Sequence, residues 1–415
     1  ASRVVRGGGL PLLSRARACF KGKGGRALST GRTVGMLIWG DGKSGKLGLG
    51  DTSSELWPME LTPDNFGDQS IVQAHCGKNV SAAITEKGEL YTWGSNANDI
   101  LGHGPGAADA ISTPKRVEFF DGDPVKFVES GGSSMFAITE KGDVFSWGWG
   151  GNFLNAGSLG QGDWKSRDSP SLVKGFEGID VVKISCGVSH AVALDANGLV
   201  YTWGKGDYGR LGMGHSSSLH TPTIVPTFEL MPAIDICAGY GFAGAVIEAG
   251  QVLTWGINDG LQLGIGPSPT LDVQSMEADP RKVVGIDEGT VRIACGSKHA
   301  CLLTEEGRVY EWGVGRSATA ELVTQMDDVF GVAETDDQFD KFKIEDIQCG
   351  KNYSAAIDDE GNLFTWGGKT KALGVGENVK VRSPVMFADR EEFEFPRITA
   401  ISCGEKHMAA LFISD

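Results

Sequence analysis

Seven Trp-Gly pairs divide this chain at a nearly constant interval. They begin at Trp39, Trp93, Trp147, Trp203, Trp255, Trp312 and Trp366, with gaps of 54, 54, 56, 52, 57 and 54 residues. A fixed period of this length marks one supersecondary unit copied along the chain. Each copy is too small to bury its apolar face without a neighbour.

The units can be read side by side. Each opens with an apolar run ending in Cys-Gly or a substitute, at Cys76, Ser130, Cys186, Ala238, Cys295, Cys349 and Cys403. A run of small and apolar residues follows, such as 81–84 (Ser-Ala-Ala-Ile) and 191–194 (Ala-Val-Ala-Leu). Then comes a turn glycine, 12 residues after the Cys position, at Gly88, Gly142, Gly198, Gly250, Gly307 and Gly361. Two short apolar runs joined by a glycine turn read as a β-hairpin. No unit shows a sustained 3.6-residue apolar period, so the unit is all-β.

Six of the seven Trp-Gly pairs are followed by Leu-Gly-x-Gly, at Leu47, Leu101, Leu159, Leu211, Leu263 and Leu373. The sixth unit lacks it and runs instead into an acidic stretch around 327–340, so its outer part is expected to be irregular. Glycine totals 61 of 415 residues, well above the ~7% of an average protein. Because these glycines keep phase with Trp and Leu, they mark turns rather than a flexible linker.

Seven units of four short strands arranged radially make a seven-bladed β-propeller with four-stranded antiparallel blades. In this reading the small-residue runs are inner strands crowded at the axis, and the indoles fill the wider gaps between blades. A buried indole also needs an acceptor for its N–H. The last unit has a Cys-Gly and a small-residue run but no Trp-Gly, whereas Trp39 has no small-residue run before it. The N- and C-terminal strands are therefore expected to share one blade and close the ring. The chain then divides into a basic arm over 1–35 and a propeller over 36–415.

Over 36–415 the sequence resembles the regulator-of-chromosome-condensation repeat family. The Cys-Gly strands, the glycine turn, the Trp-Gly and the Leu-Gly-x-Gly carry the resemblance. It implies a seven-bladed propeller, and it implies function only loosely, because one fold hosts many functions.

The arm differs in kind. It contains Arg3, Arg6, Arg15, Arg17, Lys21, Lys23, Arg26 and Arg32 and no Asp, Glu or His, a charge of +8. The whole chain carries −15. An Arg-rich, Ser-containing, acid-free segment without an apolar core has the composition of an organelle transit peptide, mitochondrial first and plastid second. No stretch approaches the ~20 apolar residues of a membrane span. If the arm is retained, its basic residues are candidate partner contacts, with RNA phosphate or an acidic protein surface to order them.

Other chemistry is weakly signalled. Five of the eight cysteines share one repeat position, which favours small buried hydrophobes in a reducing compartment over disulfide partners. The C-x(3)-H pairs at Cys186/His190, Cys295/His299 and Cys403/His407 lie in separate units, and a structural metal site needs four convergent ligands. The G-x-G-x-x-G matches at 40–45 and 204–209 have no helix after them to receive a pyrophosphate. No cofactor, metal or catalytic group is expected.

The first functional expectation is a non-enzymatic interaction scaffold, a subunit or assembly factor of a large mitochondrial complex such as the ribosome or a respiratory assembly. The resemblance also implies a second: guanine-nucleotide exchange on a small organellar GTPase, which depends on an inserted wedge. Most Trp-to-Leu junctions span 8 residues, but Trp147 to Leu159 spans 12. Within it Asn152, Phe153, Leu154 and Asn155 are the candidate loop contacts.

Overall fold

The computed structural model describes residues 34–152, 155–266, 276–326, 338–376, 378–387 and 395–413. Their strands form seven four-stranded antiparallel sheets. The chain is an all-β, seven-bladed propeller, as the period predicts. Blade 1 joins Ile398–Cys403 and His407–Ile413 to Val34–Gly40 and Glu55–Leu61. The closing ladder pairs Val34 with Ile413 through Gly40 with His407 without a break. Blades 2 to 7 open with Ile71–Cys76, Val125–Ser130, Val181–Cys186, Ala233–Ala238, Thr290–Cys295 and Ile344–Cys349. Each continues outward through three more strands in chain order. The outer strand of blade 6, Glu321–Leu322, has only two residues, which is where the repeat signature fails.

The radial order corrects one expectation. The strands lining the axis are the Cys-Gly strands, which surround a central channel of about 1940 Å³. The small-residue runs form the second strands, whose first six positions are all buried, as in Val80–Thr85 and Phe242–Ile247. Sheets converge toward the axis, so the second strand lies face to face with both neighbouring blades in the narrow part of the wedge. The first strand has solvent in front of it and can carry polar groups.

The seven repeat indoles are fully buried, and each finds its acceptor in the preceding blade. Trp93, Trp147, Trp203, Trp255, Trp312 and Trp39 donate Nε1–H to the carbonyls of Lys46, Ile100, Ser158, Arg210, Gln262 and Ala372, at 2.6–3.1 Å. Each acceptor is the residue just before a Leu-Gly pair. The glycine of that pair lies flat on the same indole: a Cβ on Gly102 would be 2.7 Å from Trp147 Nε1, and one on Gly374 2.6 Å from Trp39 Nε1. This contact is the physical reason for the Leu-Gly motif. A Thr or Ser before five of the seven Trp residues ties the loop down, as Thr92 Oγ1 does to the Leu101 carbonyl at 2.7 Å and Thr254 Oγ1 to that of Leu263 at 2.6 Å, while Ile38 stands before Trp39. In blade 6 that place belongs to Glu311, whose carboxylate accepts from Trp366 Nε1 at 2.9 Å and pairs with Arg316. A charged group thus replaces the missing loop carbonyl.

The cysteines need a second correction. Cys237 and Cys295 are joined by a disulfide, with Cα atoms 5.6 Å apart. Cys237 lies one place off the repeat position, so strand alternation turns it to the opposite side from its repeat neighbours. That side meets the next blade's channel strand, where Cys295 lies. The free cysteines Cys76, Cys186, Cys301, Cys349 and Cys403 are packed groups.

Candidate interaction faces

Strand order fixes which loops share a face. In an antiparallel blade, the first-to-second and third-to-fourth connections emerge on one side, and the second-to-third and blade-to-blade connections on the other. Among the described residues, the first side carries 13 Lys and Arg against 8 Asp and Glu. The second carries 7 against 20. The disc thus has a mildly basic loop face and a strongly acidic turn face. The acidic turns are short, such as 86–89 (Glu-Lys-Gly-Glu) and 305–308 (Glu-Glu-Gly-Arg), where only the glycine is required by the turn. Val34, the first described residue, opens its strand at the acidic face.

The channel between the faces is a ring of inter-blade polar contacts. Gln73 bridges the Val128 N–H and carbonyl of the next blade at 3.1 Å each. His75 Nε2 accepts from the Ser130 N–H at 3.0 Å, which leaves its Nδ1 to face Glu129 at 3.4 Å. Lys183 pairs with Asp235 at 2.6 Å, and the other oxygen of Asp235 accepts from the Ile293 N–H at 2.9 Å. Arg292 pairs with Asp346, and Ser402 accepts from the Cys76 N–H at 2.9 Å. These charges are spent on joining blades.

The histidines of the C-x(3)-H pairs also serve blade seams. His407 Nε2 meets Ser81 Oγ at 2.8 Å and His299 Nε2 meets Ser354 Oγ at 3.1 Å, each in the next blade. Burial holds all three neutral, with His190 and His299 down to about 3 and His407 well below its usual value. Burial likewise pushes the Cys76 thiol up to about 12 and raises those of Cys186 and Cys403, so these thiols are poor nucleophiles.

The long third junction forms a small hairpin on the loop face, with Gly151–Asn152 antiparallel to Asn155–Ala156. Asn152 is exposed there. Asn155 lies opposite it in the ladder. Phe153 and Leu154 lie outside the described residues, as do Arg3, Arg6, Arg15, Arg17, Lys21, Lys23, Arg26 and Arg32. No described helix is long and apolar enough to cross a membrane.

Comparison with known proteins agrees with this architecture. An RCC1-like domain model matches residues 27–330, and the model of the regulator of chromosome condensation repeat matches 360–411. The chain is 30% identical over 354 residues to the ultraviolet-B receptor UVR8 of Arabidopsis thaliana, covering 84% of this chain and 76% of that one. It is 29% identical over 416 residues to the mitochondrial RCC1 domain-containing protein RUG3 of the same plant, covering 91% and 88%. Among solved structures, human WBSCR16 superposes with a TM-score of 0.74 at 24% identity, covering 92% of this chain and 99% of that one. Prp20p of Saccharomyces cerevisiae, described with its binding to Gsp1p and histones, superposes with 0.75 at 20% identity, covering 93% of each.

Proposed function

The chain belongs to the RCC1-like propeller family, and from that premise we propose that it is a non-enzymatic interaction platform of the mitochondrion. It holds protein partners within a large assembly, of the ribosome or of a respiratory complex. The observation that carries this reading is the opposition of charge between two broad faces of a closed ring. A disc of this kind offers two different partners two different surfaces on one frame. The likeness to the mitochondrial RUG3 protein along most of both chains supports the compartment, and so does the acid-free arm. RNA, if bound, meets the arm, because the acidic body repels a polyanion.

The test is import of the labelled full chain into isolated mitochondria, followed by native sedimentation and cross-linking mass spectrometry. The expected result is protease protection and migration with a large particle. A free 43.9 kDa monomer, or a chain left outside the organelle, would falsify the reading.

One observation favours a second reading, exchange of guanine nucleotide on a small organellar GTPase. The loop-face hairpin around Asn152 and Asn155 is the kind of projection that could wedge open a nucleotide site. Nucleotide release from organellar GTPases measures it directly. Acceleration by the native chain but not by one with the hairpin shortened to the usual junction length supports exchange, and no acceleration removes it.

A further inference from the structure

The loop face at blades 4 and 5 holds a buried cation that makes no salt bridge among the described residues. Arg210, just before the Leu-Gly pair of blade 4, is only 6% exposed. Its Nε donates to the Asp207 carbonyl at 2.8 Å, and no carboxylate among the described residues pairs with it. The repeat supplies an internal control. Lys46 holds the matching place in blade 1, is also buried, and is answered by Asp41 at 2.6 Å. Asp41 lies two residues after Trp39; two residues after Trp203 stands Lys205, which pairs with Asp207 at 2.9 Å. Blade 1 gives its loop acid to the buried cation, whereas blade 4 gives its loop acid, Asp207, to Lys205 instead. The seam below is short of partners too. His190 has both ring nitrogens buried without a hydrogen bond. The serine that serves His407 and His299 is Ala243 in blade 5.

Two exposed tyrosines flank this cation. The Arg210 guanidinium lies 5.9 Å from the Tyr208 ring centroid, and Tyr240 is close enough to feel its charge. Leu261 and Val314 are exposed further round the same face, on blades 5 and 6. Tyr208 and Leu261 are held at φ 60° and 61°, a left-handed conformation that bulky side chains resist. The matching places, five and six residues after the Trp, elsewhere hold Ser44, Gly45, Asn98, Asp99 and Gly209. Strain of this kind persists where a surface is used.

We propose that this patch binds an acidic segment of a partner protein, with one carboxylate on the Arg210 guanidinium and a neighbouring apolar side chain against Tyr208 and Tyr240. A buried guanidinium forms its strongest pairs with carboxylates and phosphates. A protein segment fits better than a nucleic acid here. The patch offers one guanidinium without a salt bridge, which suits a single carboxylate better than a run of phosphates. The proposal rests on the interaction-platform reading only in taking a protein as ligand. Its test uses the purified chain, so failure leaves the organellar assignment standing.

Fluorescence polarisation decides it. The probes are a short labelled peptide alternating Glu and Asp with Leu and Phe, the same peptide with Gln and Asn for the acids, the same with Ser for the apolar residues, and a short single-stranded RNA. The acidic apolar peptide is expected to bind best. Arg210→Gln should weaken it roughly tenfold or more, the loss typical of a charge-assisted pair. Tyr240→Ala and Leu261→Gly, both at exposed sites, should also weaken it without lowering the melting temperature. They carry the decision if the arginine variant fails to fold. Equal binding of the acidic and amide peptides overturns the proposal, as does wild-type affinity in the folded variants. RNA binding that disappears with Arg210→Gln overturns it in favour of a polynucleotide.

Discussion

At the scale of single residues, the repeat acts as its own mutant series. Replacing Leu261 by Gly removes a left-handed penalty and should stabilise the fold by about 0.5–1 kcal/mol after the entropy of glycine is counted. Gly102→Ala does the reverse. Its Cβ would meet the Trp147 indole at a φ of +75°, a cost of roughly 2 kcal/mol or more. Urea denaturation of the two variants checks both signs. The buried histidines set an acid limit. The unfolded chain takes up a proton near pH 6.5 that the folded chain refuses until about 3 at His190 and His299. Their stabilising effect is therefore complete above pH 6.5 and is lost as pH falls through that window, at about 1.4 kcal/mol per unit for each group. His190→Phe, which copies Phe242 of the next blade, should flatten the slope by one group's share in melts between pH 7 and 4. An unchanged slope would show that His190 titrates normally.

At the scale of the strand and loop, blade 6 is the exception that identifies the rule. Glu311 replaces both the small hydroxyl before the Trp and the loop carbonyl that other blades offer. Glu311→Ala strands the largely buried Arg316 and should cost about 3–5 kcal/mol, against about 1 kcal/mol for Thr254→Val, which loses one neutral hydrogen bond. Amide exchange should be fastest in Glu321–Leu322 and its flanks, where the outer ladder is shortest. Much of this scale was legible in the sequence. Glycine turns and Trp-Gly pairs placed the strands, and the lost Leu-Gly-x-Gly marked the irregular blade. Radial order was not legible, because first and second strands are both apolar runs and only packing reveals that Gln73, His75 and Asp235 face a channel. The Cys237–Cys295 bond was missed because a one-residue offset looks like noise until two blades are placed side by side. The acceptor deficit at Arg210 depends on comparing it with Lys46 and Asp41 once both are known to be buried.

At the scale of the whole molecule, closure and charge dominate. Removing His407–Ile413 takes away the ladder that joins both ends of the ring. The truncated chain should lose its cooperative melt in near-ultraviolet dichroism rather than show a small shift. The two faces predict opposite salt behaviour from one protein. Raising ionic strength should slow association of a basic partner with the turn face steeply and association of an acidic partner with the loop face mildly, as stopped-flow measurement would show. The face charges are written in the sequence, but in alternate connections, so they cancel in any running average. They separate only when the antiparallel order sorts the loops.

All seven indoles take their acceptor from the blade before them and none from the blade after. The wheel therefore has a sense of rotation that its rotational pseudosymmetry hides. A fault introduced in one loop should be felt by the neighbour downstream and spare the one upstream, so damage and repair alike travel one way round.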